Sequence, residues 1–565
     1  MTGAERIAAQ LAAQGVATVF AVAGASHTWL LDALDRAEFA IVSSRHESGA
    51  VGAADGYART LADRRPPRLG VALIVAEQGM ANAIGGLAVA HALGSPVVVL
   101  AASPPRGHAE AETSDPLALV APVAKWARTV PSADRLGDYL ATAIRMAVSG
   151  RPGPAVLVIP QDLFQAESGA AEPTILAAPS SPADGDAIDQ AARMLADSQR
   201  PLAIAGFGAF RSGAADALRA LASEFAVPVL GNGSGRGLVA EDDALGFSWP
   251  YAQIAAHQAD CVLVVGEVLT QRLGFGLVPR FARTARFIQI DAVAEAFGRN
   301  RPIDCALLGD PDATLALVVE RLRARRVAAK PSWLPQTLTQ RAATVARLAK
   351  PGGGAIHPLT LAAALRSRLP ADAVLVGDGA DIANWMYGAL RVRRAGGFMD
   401  HYPLGAMGSG TALAVGAAAA LREIGDPAPV VLVTGDGSLG FHPGELHAAA
   451  RAGLNLKVVV GNDGAWGTEA HGQLVALGRT LNTELGMLPY ARLAEAFGCA
   501  GLTCEMFDDL GGQLNALLAT SGPALLDVRI DPAAGAELKT NPLASNILFS
   551  DIAQAQSAFE GPGDD

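Results

Sequence analysis

Two glycine-rich turns carry the residues of this sequence with the clearest chemical potential. The turn at 434–438 reads Thr-Gly-Asp-Gly-Ser and the turn at 461–464 reads Gly-Asn-Asp-Gly, and each directly follows a short apolar run. Asp436 and Asn462 lie 26 residues apart, an interval that fits one crossover helix between two neighbouring parallel strands. A carboxylate and an amide oxygen suit Mg²⁺, and the glycines let backbone N–H groups approach phosphates. Either turn alone is also explained as a simple chain reversal, so the prediction of a cation and phosphate site depends on the pair.

The elements that must position these turns follow a repeated pattern. Short β-branched runs alternate with Ala-rich helical patterns along the chain, which predicts an α/β fold with parallel sheets and crossover helices. The pattern is interrupted by an Ala-, Pro- and Ser-rich stretch and later by a basic stretch that ends in Pro-Gly-Gly-Gly. We therefore predict three doubly wound parallel-sheet domains and a tail, with bounds at 1–170, 186–325, 355–535 and 536–565.

Composition narrows the class of partner and the compartment. The 565 residues include 44 Lys and Arg against 55 Asp and Glu, a net charge of −11, which disfavours nucleic acid or an acidic membrane as a partner. The N-terminus lacks the apolar core of a signal peptide, and no apolar run reaches the ~20 residues of a membrane span. The four cysteines are too scattered for a disulfide framework or a paired metal site. These features predict a soluble cytoplasmic protein.

The ordered pair of turns resembles the signature of the thiamin diphosphate-dependent enzymes, in which Gly-Asp-Gly is followed at about this interval by Asn. The resemblance implies a pyrimidine-binding, a central and a diphosphate-binding domain, in that order. It implies that Mg²⁺ is bound by Asp436, Asn462 and the backbone carbonyl of Gly464. It also implies that thiamin diphosphate lies between the first domain of one subunit and the third domain of another, as a homodimer or homotetramer would provide.

A second match lies in the first predicted domain. The segment Arg45-His46-Glu47 resembles the Arg-His-Glu segment of the family, whose Glu hydrogen-bonds the cofactor's pyrimidine ring and promotes removal of the thiazolium proton. The resemblance therefore implies that Glu47 is catalytic. Small residues at 49–56 predict a close-packed helix after it, and burial would favour the protonated carboxyl. Without the other match, Glu47 would also be explained as a first-turn acid stabilised by the helix dipole.

Further matches extend the implied cofactor site. Gly79 and Asn82, ahead of a helix predicted from Ala83, correspond to a Gly and an Asn that the family places there. Met407 would be the apolar wedge that props the cofactor in its bent shape, although a Met between glycines is also explained by packing. The cofactor-binding residues implied are Glu47, Asn82, Gly379, Gly405, Met407, Gly435, Asp436, Gly437, Ser438, Asn462, Gly464, Trp466 and Gly467.

The residues implied to select the reaction are fewer. Glu112 stands where acetolactate synthases commonly have an active-site Gln, and it is either catalytic or a solvated loop acid. Ser26 and His27 match a family loop that reaches the reaction centre, although His27 is also explained as a helix cap. The segment 270–281 looks more like 2-hydroxyacyl-CoA lyases than like FAD-binding synthases, so FAD stays open but is not favoured.

The whole pattern resembles acetolactate synthase large subunits, benzaldehyde lyases and 2-hydroxyacyl-CoA lyases. We therefore predict a thiamin diphosphate- and Mg²⁺-dependent enzyme that forms or cleaves a carbon–carbon bond of a small 2-oxo acid. The alternative is a lyase that releases an aldehyde or formyl-CoA from an acyloin or acyl-CoA. A non-catalytic relative is disfavoured because Glu47, Asp436 and Asn462 are all retained. A nicotinamide dehydrogenase is disfavoured because no Gly-x-Gly-x-x-Gly fingerprint occurs in the right context.

Overall fold

The computed structural model describes residues 1–107, 115–168, 180–330, 333–334 and 355–535. These residues form three six-stranded sheets, in which the paired strands run parallel and helices connect them. The predicted fold class of three doubly wound α/β domains is thereby confirmed. The predicted tail at 536–565 lies outside the described residues. Among the helices described, none is long and apolar enough to cross a membrane.

The first sheet lies near the N-terminus. Its strands are β1 (Thr18–Ala21), β2 (Ala40–Ser43), β3 (Gly70–Val75), β4 (Val97–Ser103), β5 (Trp126–Thr129) and β6 (Ala155–Pro160). The helices around it are α1 (Gly3–Ala13), α2 (Thr28–Arg36), α3 (Glu47–Thr60), α4 (Gln78–Leu93), α5 (Pro116–Val120) and α6 (Leu136–Val148). The order is β2-β1-β3-β4-β6-β5. Strand β4 is an almost unbroken buried apolar run because helices cover both faces of the sheet.

The central sheet follows. Its strands are β7 (Pro201–Ala205), β8 (Val229–Gly231), β9 (Gly246–Ser248), β10 (Cys261–Val265), β11 (Arg286–Asp291) and β12 (Cys305–Leu308). Its helices are α7 (Gly185–Asp197), α8 (Phe207–Ser212), α9 (Ala215–Phe225), α10 (Trp249–Ala256) and α11 (Pro311–Ala324). The strand order is β12-β11-β10-β7-β8-β9, so the chain adds strands toward one edge after β7 and toward the other edge after β10. Such a switch point between two parallel strands opens a crevice at their carboxyl ends.

The third sheet lies nearest the C-terminus. Its strands are β13 (Val374–Gly377), β14 (Phe398–Asp400), β15 (Val430–Gly435), β16 (Leu456–Asn462), β17 (Ala500–Cys504) and β18 (Ala524–Arg529). Its helices are α12 (Pro358–Arg366), α13 (Asp381–Ala389), α14 (Ser409–Glu423), α15 (Asp436–Leu439), α16 (Glu445–Arg451), α17 (Gly467–Leu477), α18 (Tyr490–Ala496) and α19 (Phe507–Ala519). The order β14-β13-β15-β16-β18-β17 repeats that of the first sheet, and its switch point lies between β13 and β15.

Helices α3 and α14 pack backbone against backbone and join the first and third sheets. A Cβ atom added at Gly416 would lie 1.8 Å from the Ala53 carbonyl oxygen, and one added at Gly56 would lie 2.1 Å from the Leu413 carbonyl oxygen. All fourteen residues of α3 are buried. Glycine is required at these two positions because a side chain would push the helices apart. The contact holds the start of α3 in a defined place relative to the third sheet.

Two largely buried arginines of the central domain contact the third domain. The guanidinium of Arg236 donates two hydrogen bonds to Glu241, at 2.7 and 2.8 Å, and one to the Leu390 carbonyl at 2.9 Å. Arg272 donates to Asp400 at 2.5 Å. Such bidentate and charge-assisted bonds give specific geometry as well as energy. They hold the central crevice against the third domain.

Candidate active site

Strands β15 and β16 are adjacent and in register, so their carboxyl ends bring the two glycine-rich turns together. Gly435 pairs with Gly461, and Asp436 and Asn462 each come next along the chain. Asp436 opens α15 and is 2% exposed, while Asn462 ends β16 and is fully buried. The neighbouring-strand arrangement predicted from the 26-residue interval is therefore confirmed.

Asp436 and Asn462 each present an unsatisfied oxygen. The Asn462 Nδ2 group donates to the Leu488 carbonyl at 3.1 Å and to Asp527 Oδ1 at 2.9 Å. Both acceptors need the N–H side of the amide, so the orientation of Asn462 is settled. Within the described part of the chain, neither Asn462 Oδ1 nor Asp436 Oδ2 has a hydrogen-bond partner. Buried oxygens without partners are costly unless a ligand satisfies them, and a hard cation such as Mg²⁺ fits this pair.

The charges around the pair also suit a cation. Burial raises the pKa of Asp436, and the nearby Asp463 carboxylate adds to the rise. Burial and the Asp381 carboxylate raise the pKa of Asp463 in the same way. A bound cation would reverse this by stabilising the ionised carboxylates. In the described ranges no group of three or more His, Cys, Asp or Glu could hold a metal ion.

Gly464 makes contacts that the sequence does not reveal. Its φ of +69° is left-handed, which favours glycine. Its carbonyl oxygen accepts hydrogen bonds from the N–H groups of Leu485 at 2.7 Å and Gly486 at 3.0 Å. Ligation of a cation by this oxygen, as the resemblance implies, therefore requires the turn at 485–486 to release at least one of these bonds. The carbonyl of Gly464 stays a predicted ligand.

A cavity of about 50 Å³ opens beside these strand ends. Eight of the residues predicted to bind the cofactor line it: Gly379, Met407, Gly435, Asp436, Gly437, Ser438, Trp466 and Gly467. The Trp466 ring lies so close to Gly437 that a Cβ atom there would be 2.5 Å from it. Gly405 precedes the Met407 turn with a φ of +82° and is not one of the lining residues. All residues that line the cavity belong to the third domain.

Asp378 holds the Met407 turn against this cavity. Its fully buried carboxylate accepts hydrogen bonds from the N–H groups of Gly379 at 2.8 Å, Gly408 at 3.1 Å and Gly410 at 3.0 Å. A carboxylate that accepts several backbone N–H bonds fixes the loop that supplies them. Sequence reasoning missed this role, although Asp378 stands between two glycines at the end of β13 and could have been singled out on that ground.

Glu47 is the first residue of α3 and is paired with Asn82. The Asn82 Nδ2 group donates to Glu47 Oε2 at 3.0 Å, and Glu47 is 9% exposed. Gly79 lies against the same carboxylate, since a Cβ there would be 3.2 Å from Glu47 Oε1. The helix predicted from Ala83 begins earlier, at Gln78, because Met80 already packs into the core. Glu47 and the two residues that match the family segment after β3, Gly79 and Asn82, thus meet in space.

Of the three residues predicted to reach the reaction centre, the structure describes Ser26 and His27. His27 Nε2 accepts a hydrogen bond from the Gly24 N–H at 2.9 Å, and burial lowers the pKa of His27, so the imidazole is neutral at pH 7. The Ser26 hydroxyl oxygen is buried and has no hydrogen-bond partner among the residues described. Glu112 lies outside the described residues. These three residues stay predictions.

A second, larger cavity of about 610 Å³ lies at the switch point of the central sheet. It is lined by Arg151 of the first domain and by Arg211, Glu267 and Arg299 of the central domain. Burial raises the pKa of Glu267 to about 7. Ala380, Thr468 and Glu469 line both cavities, so the two spaces adjoin. The segment 270–281 contributes Thr270, Gln271 and Arg272 to the lining, but the sequence did not predict the cavity itself, to which three domains contribute.

Comparison with protein families matches three consecutive parts of the chain. Residues 1–120 match the N-terminal TPP binding domain of thiamine pyrophosphate enzymes, residues 188–318 match the central domain, and residues 378–528 match the C-terminal TPP binding domain. The matches follow the order of the three sheets. They identify thiamin diphosphate as the cofactor class.

Curated relatives span nearly the whole chain. An acetolactate synthase large subunit of Mycobacterium tuberculosis is 32% identical over 95% of this chain and 97% of its own length. The large subunit of acetolactate synthase isozyme 2 of Escherichia coli is 31% identical over 97% and 98%. The mouse 2-hydroxyacyl-CoA lyase 1 is 28% identical over 94% of both chains. With these matches along its length, the chain belongs to the thiamin diphosphate-dependent enzymes, in the branch that contains acetolactate synthases and 2-hydroxyacyl-CoA lyases.

Proposed function

We propose that this chain uses Mg²⁺ and thiamin diphosphate to form or cleave a carbon–carbon bond of a 2-oxo acid, as an acetolactate synthase-like carboligase or decarboxylase. The observation that carries the proposal is the pair of buried, unpaired oxygens of Asp436 and Asn462 beside a glycine-lined cavity. The 2-oxo acid is supported by the relatives named acetolactate synthase. The substrate is a small molecule in either case.

Each residue has a part in this proposal. Thiamin diphosphate, when bound, supplies an electron sink for the pair released as the substrate bond breaks. Asp436, Asn462 and the Gly464 carbonyl would hold Mg²⁺, and Gly437 and Ser438 would face the diphosphate. Glu47 would share a proton with the pyrimidine ring, and the Asn82 amide keeps its carboxylate in one orientation.

We place the cofactor between Glu47 of one subunit and the Asp436 cavity of another. The residues that line the cavity all belong to the third domain, which supports completion of the site by a second copy. Large apolar side chains near the cavity are exposed, with Phe441 at 52% and Leu488 at 53%, and a partner subunit would bury them. A homodimer is then the minimum active unit, and a homotetramer would repeat the same contact.

The cysteines support a reducing compartment. Cys261, Cys305, Cys499 and Cys504 are all free and buried. Disulfides are rare in the cytosol and common in exported proteins. We therefore place the enzyme in the cytoplasm.

A second candidate is a lyase that releases an aldehyde or formyl-CoA. The larger cavity offers Arg151, Arg211 and Arg299 to the phosphates of an acyl-CoA, and one relative is named 2-hydroxyacyl-CoA lyase 1. FAD is not favoured there. The turn Gly206-Phe207-Gly208 follows β7, and a dinucleotide's phosphates would approach such a turn. A Cβ on Gly206 would lie 2.4 Å from Glu267 Oε2, so a carboxyl group lies against this turn.

The test is release of labelled CO₂ from carboxyl-labelled pyruvate and benzoylformate, with apo-protein reconstituted with Mg²⁺ and thiamin diphosphate. The Glu47→Gln variant is the catalytic control, and benzoin and a 2-hydroxyacyl-CoA are assayed in parallel. We expect cofactor-dependent CO₂ release that Glu47→Gln loses. Release of aldehyde or formyl-CoA without CO₂ would favour the lyase. Turnover of none of these substrates by cofactor-loaded protein would contradict both candidates.

A further inference from the structure

We propose that Glu445 is a positioning residue for Glu47. Glu445 opens α16 of the third domain and is 1% exposed. Its Oε1 atom accepts hydrogen bonds from the backbone N–H groups of Arg45 at 2.9 Å and His46 at 3.2 Å. These are the two residues directly before Glu47. The catalytic role of Glu47 rests on the proposed function, whereas the contact of Glu445 with the segment before Glu47 does not.

The contact extends into the first turn of α3. A Cβ on Gly49 would lie 2.2 Å from Glu445 Oε1, so the carboxylate lies against the backbone of that turn. His46 Nδ1 accepts a hydrogen bond from the Ser48 N–H at 3.1 Å and caps the helix. The residues on both sides of Glu47 are therefore held, and a shift of Glu445 would move the Glu47 backbone with them.

A simple packing role does not account for a carboxyl group at this position. Burial raises the pKa of Glu445 to about 7, against the opposing effect of the Arg45 and His46 N–H groups. An apolar side chain would fill the same space without that cost. A carboxylate, however, accepts two converging N–H groups through one oxygen and makes stronger bonds than a neutral acceptor. What it contributes is orientation of the segment before Glu47.

The chain offers a matched control in Glu423. This carboxylate also belongs to the third domain, and it accepts hydrogen bonds from the hydroxyl groups of Thr18 at 2.7 Å and Tyr57 at 2.8 Å. It therefore links the same two domains, but at the C-terminal half of α3. We expect loss of Glu423 to weaken the docking of the two domains and to leave the turn around Glu47 in place.

The first experiment measures backbone amide exchange at Arg45 and His46 in apo-protein by mass spectrometry with fragmentation. We expect Glu445→Ala to accelerate exchange at these amides by about tenfold, Glu445→Gln to have a smaller effect, and Glu423→Ala to have none there. Glu445→Gln keeps the shape and an acceptor oxygen, so it reports even where Glu445→Ala folds poorly. Equal exchange in the Glu445 variants and the wild type would overturn the proposal.

The second experiment uses the protein loaded with Mg²⁺ and thiamin diphosphate. It measures exchange of the thiazolium C2 proton by acid quench and NMR, together with the cofactor Kd. We expect Glu445→Ala to slow C2 exchange by at least about tenfold, since small displacements of a catalytic group are costly. The cofactor Kd should stay within about threefold, and Glu423→Ala should be near wild type in C2 exchange. Equal slowing in both variants would assign Glu445 to domain docking and overturn the proposal. Absence of C2 exchange in the loaded wild type would count against the proposed function, and amide exchange would still decide whether Glu445 holds the segment.

Discussion

Asp527 decides which atom of Asn462 faces the proposed cation site. Its two carboxylate oxygens accept from Asn462 Nδ2 at 2.9 Å and from the Tyr490 N–H at 3.1 Å. The Leu488 carbonyl accepts the other N–H of the Asn462 amide at 3.1 Å. Because both amide protons are used, the amide oxygen points toward the cation site and nowhere else.

We predict that Asp527→Asn weakens Mg²⁺ binding by about 10- to 100-fold, as expected for loss of a partner that orients a metal ligand. The substituted amide has one acceptor oxygen for two N–H groups. If that oxygen serves Tyr490, its own NH₂ group meets Asn462, whose amide must turn over and present N–H to the cation. A hydrogen bond to a charged group contributes about 1.5–3 kcal/mol, or roughly 10- to 150-fold in binding at 1.4 kcal/mol per tenfold.

The assay is titration of Mg²⁺ into apo-protein with thiamin diphosphate present, followed by tryptophan fluorescence, because Trp466 lines the cavity. Glu423→Gln, which alters a carboxylate remote from Asn462, is the control and should bind Mg²⁺ like the wild type. An unchanged Mg²⁺ Kd for Asp527→Asn, at an unchanged Tm, would refute the reasoning that Asp527 orients the ligand.

Three further predictions follow from the same structure. Glu47→Gln and Asp436→Asn should each be inactive alone. When the two variants are mixed in equal amounts, dissociated and reassociated, about a quarter of wild-type activity should return, since half of the dimers then hold one intact shared site. If no activity returned although mass analysis verified exchange of subunits, each site would lie within one chain. In a denaturant titration, Gly416→Ala should lower the free energy of unfolding by about 1–3 kcal/mol or more, because its Cβ would lie 1.8 Å from a backbone oxygen of α3. The control is Gly472→Ala, which should not be destabilising, since no atom of the described residues lies within 4 Å of the added Cβ. Burial raises the pKa of Glu267 from 4.5 to about 7, so the folded chain binds this proton more tightly than the unfolded chain, and the free energy of unfolding falls as the pH rises from 4.5 to 7. Glu267→Gln should remove up to about 3 kcal/mol of that pH dependence. If the free energy of unfolding varied with pH in the same way in both proteins, this assignment would be wrong.

The contacts that sequence could foresee are those set by strand order and local spacing. The interval between Asp436 and Asn462 sufficed to predict adjacent strands, and Gly435 pairs with Gly461. Two short helices, α15 and α16, fill the interval instead of the single crossover helix expected. Glu47 and Asn82 were each assigned to the cofactor, and they meet because α3 and α4 pack together. In these cases the relevant geometry is encoded within one supersecondary unit.

Contacts between distant segments were not foreseen. Asp527 lies 65 residues from Asn462, and Glu445 lies 400 residues from Arg45, so nothing in the local pattern connects them. Asp527 did leave a signal, as a charged residue within the apolar strand β18. The bonds from Leu485 and Gly486 to the Gly464 carbonyl left none, because backbone groups in an irregular turn have no sequence signature.

The most direct test of the central claim is to locate the cation. We would crystallise the protein with Mn²⁺ in place of Mg²⁺, and with thiamin diphosphate, and measure the anomalous scattering of manganese. The account predicts one strong peak per cofactor, at about 2.1 Å from Asp436 Oδ2 and Asn462 Oδ1 and next to the cofactor's diphosphate. A peak elsewhere, or bound cofactor without a peak at these oxygens, would contradict it.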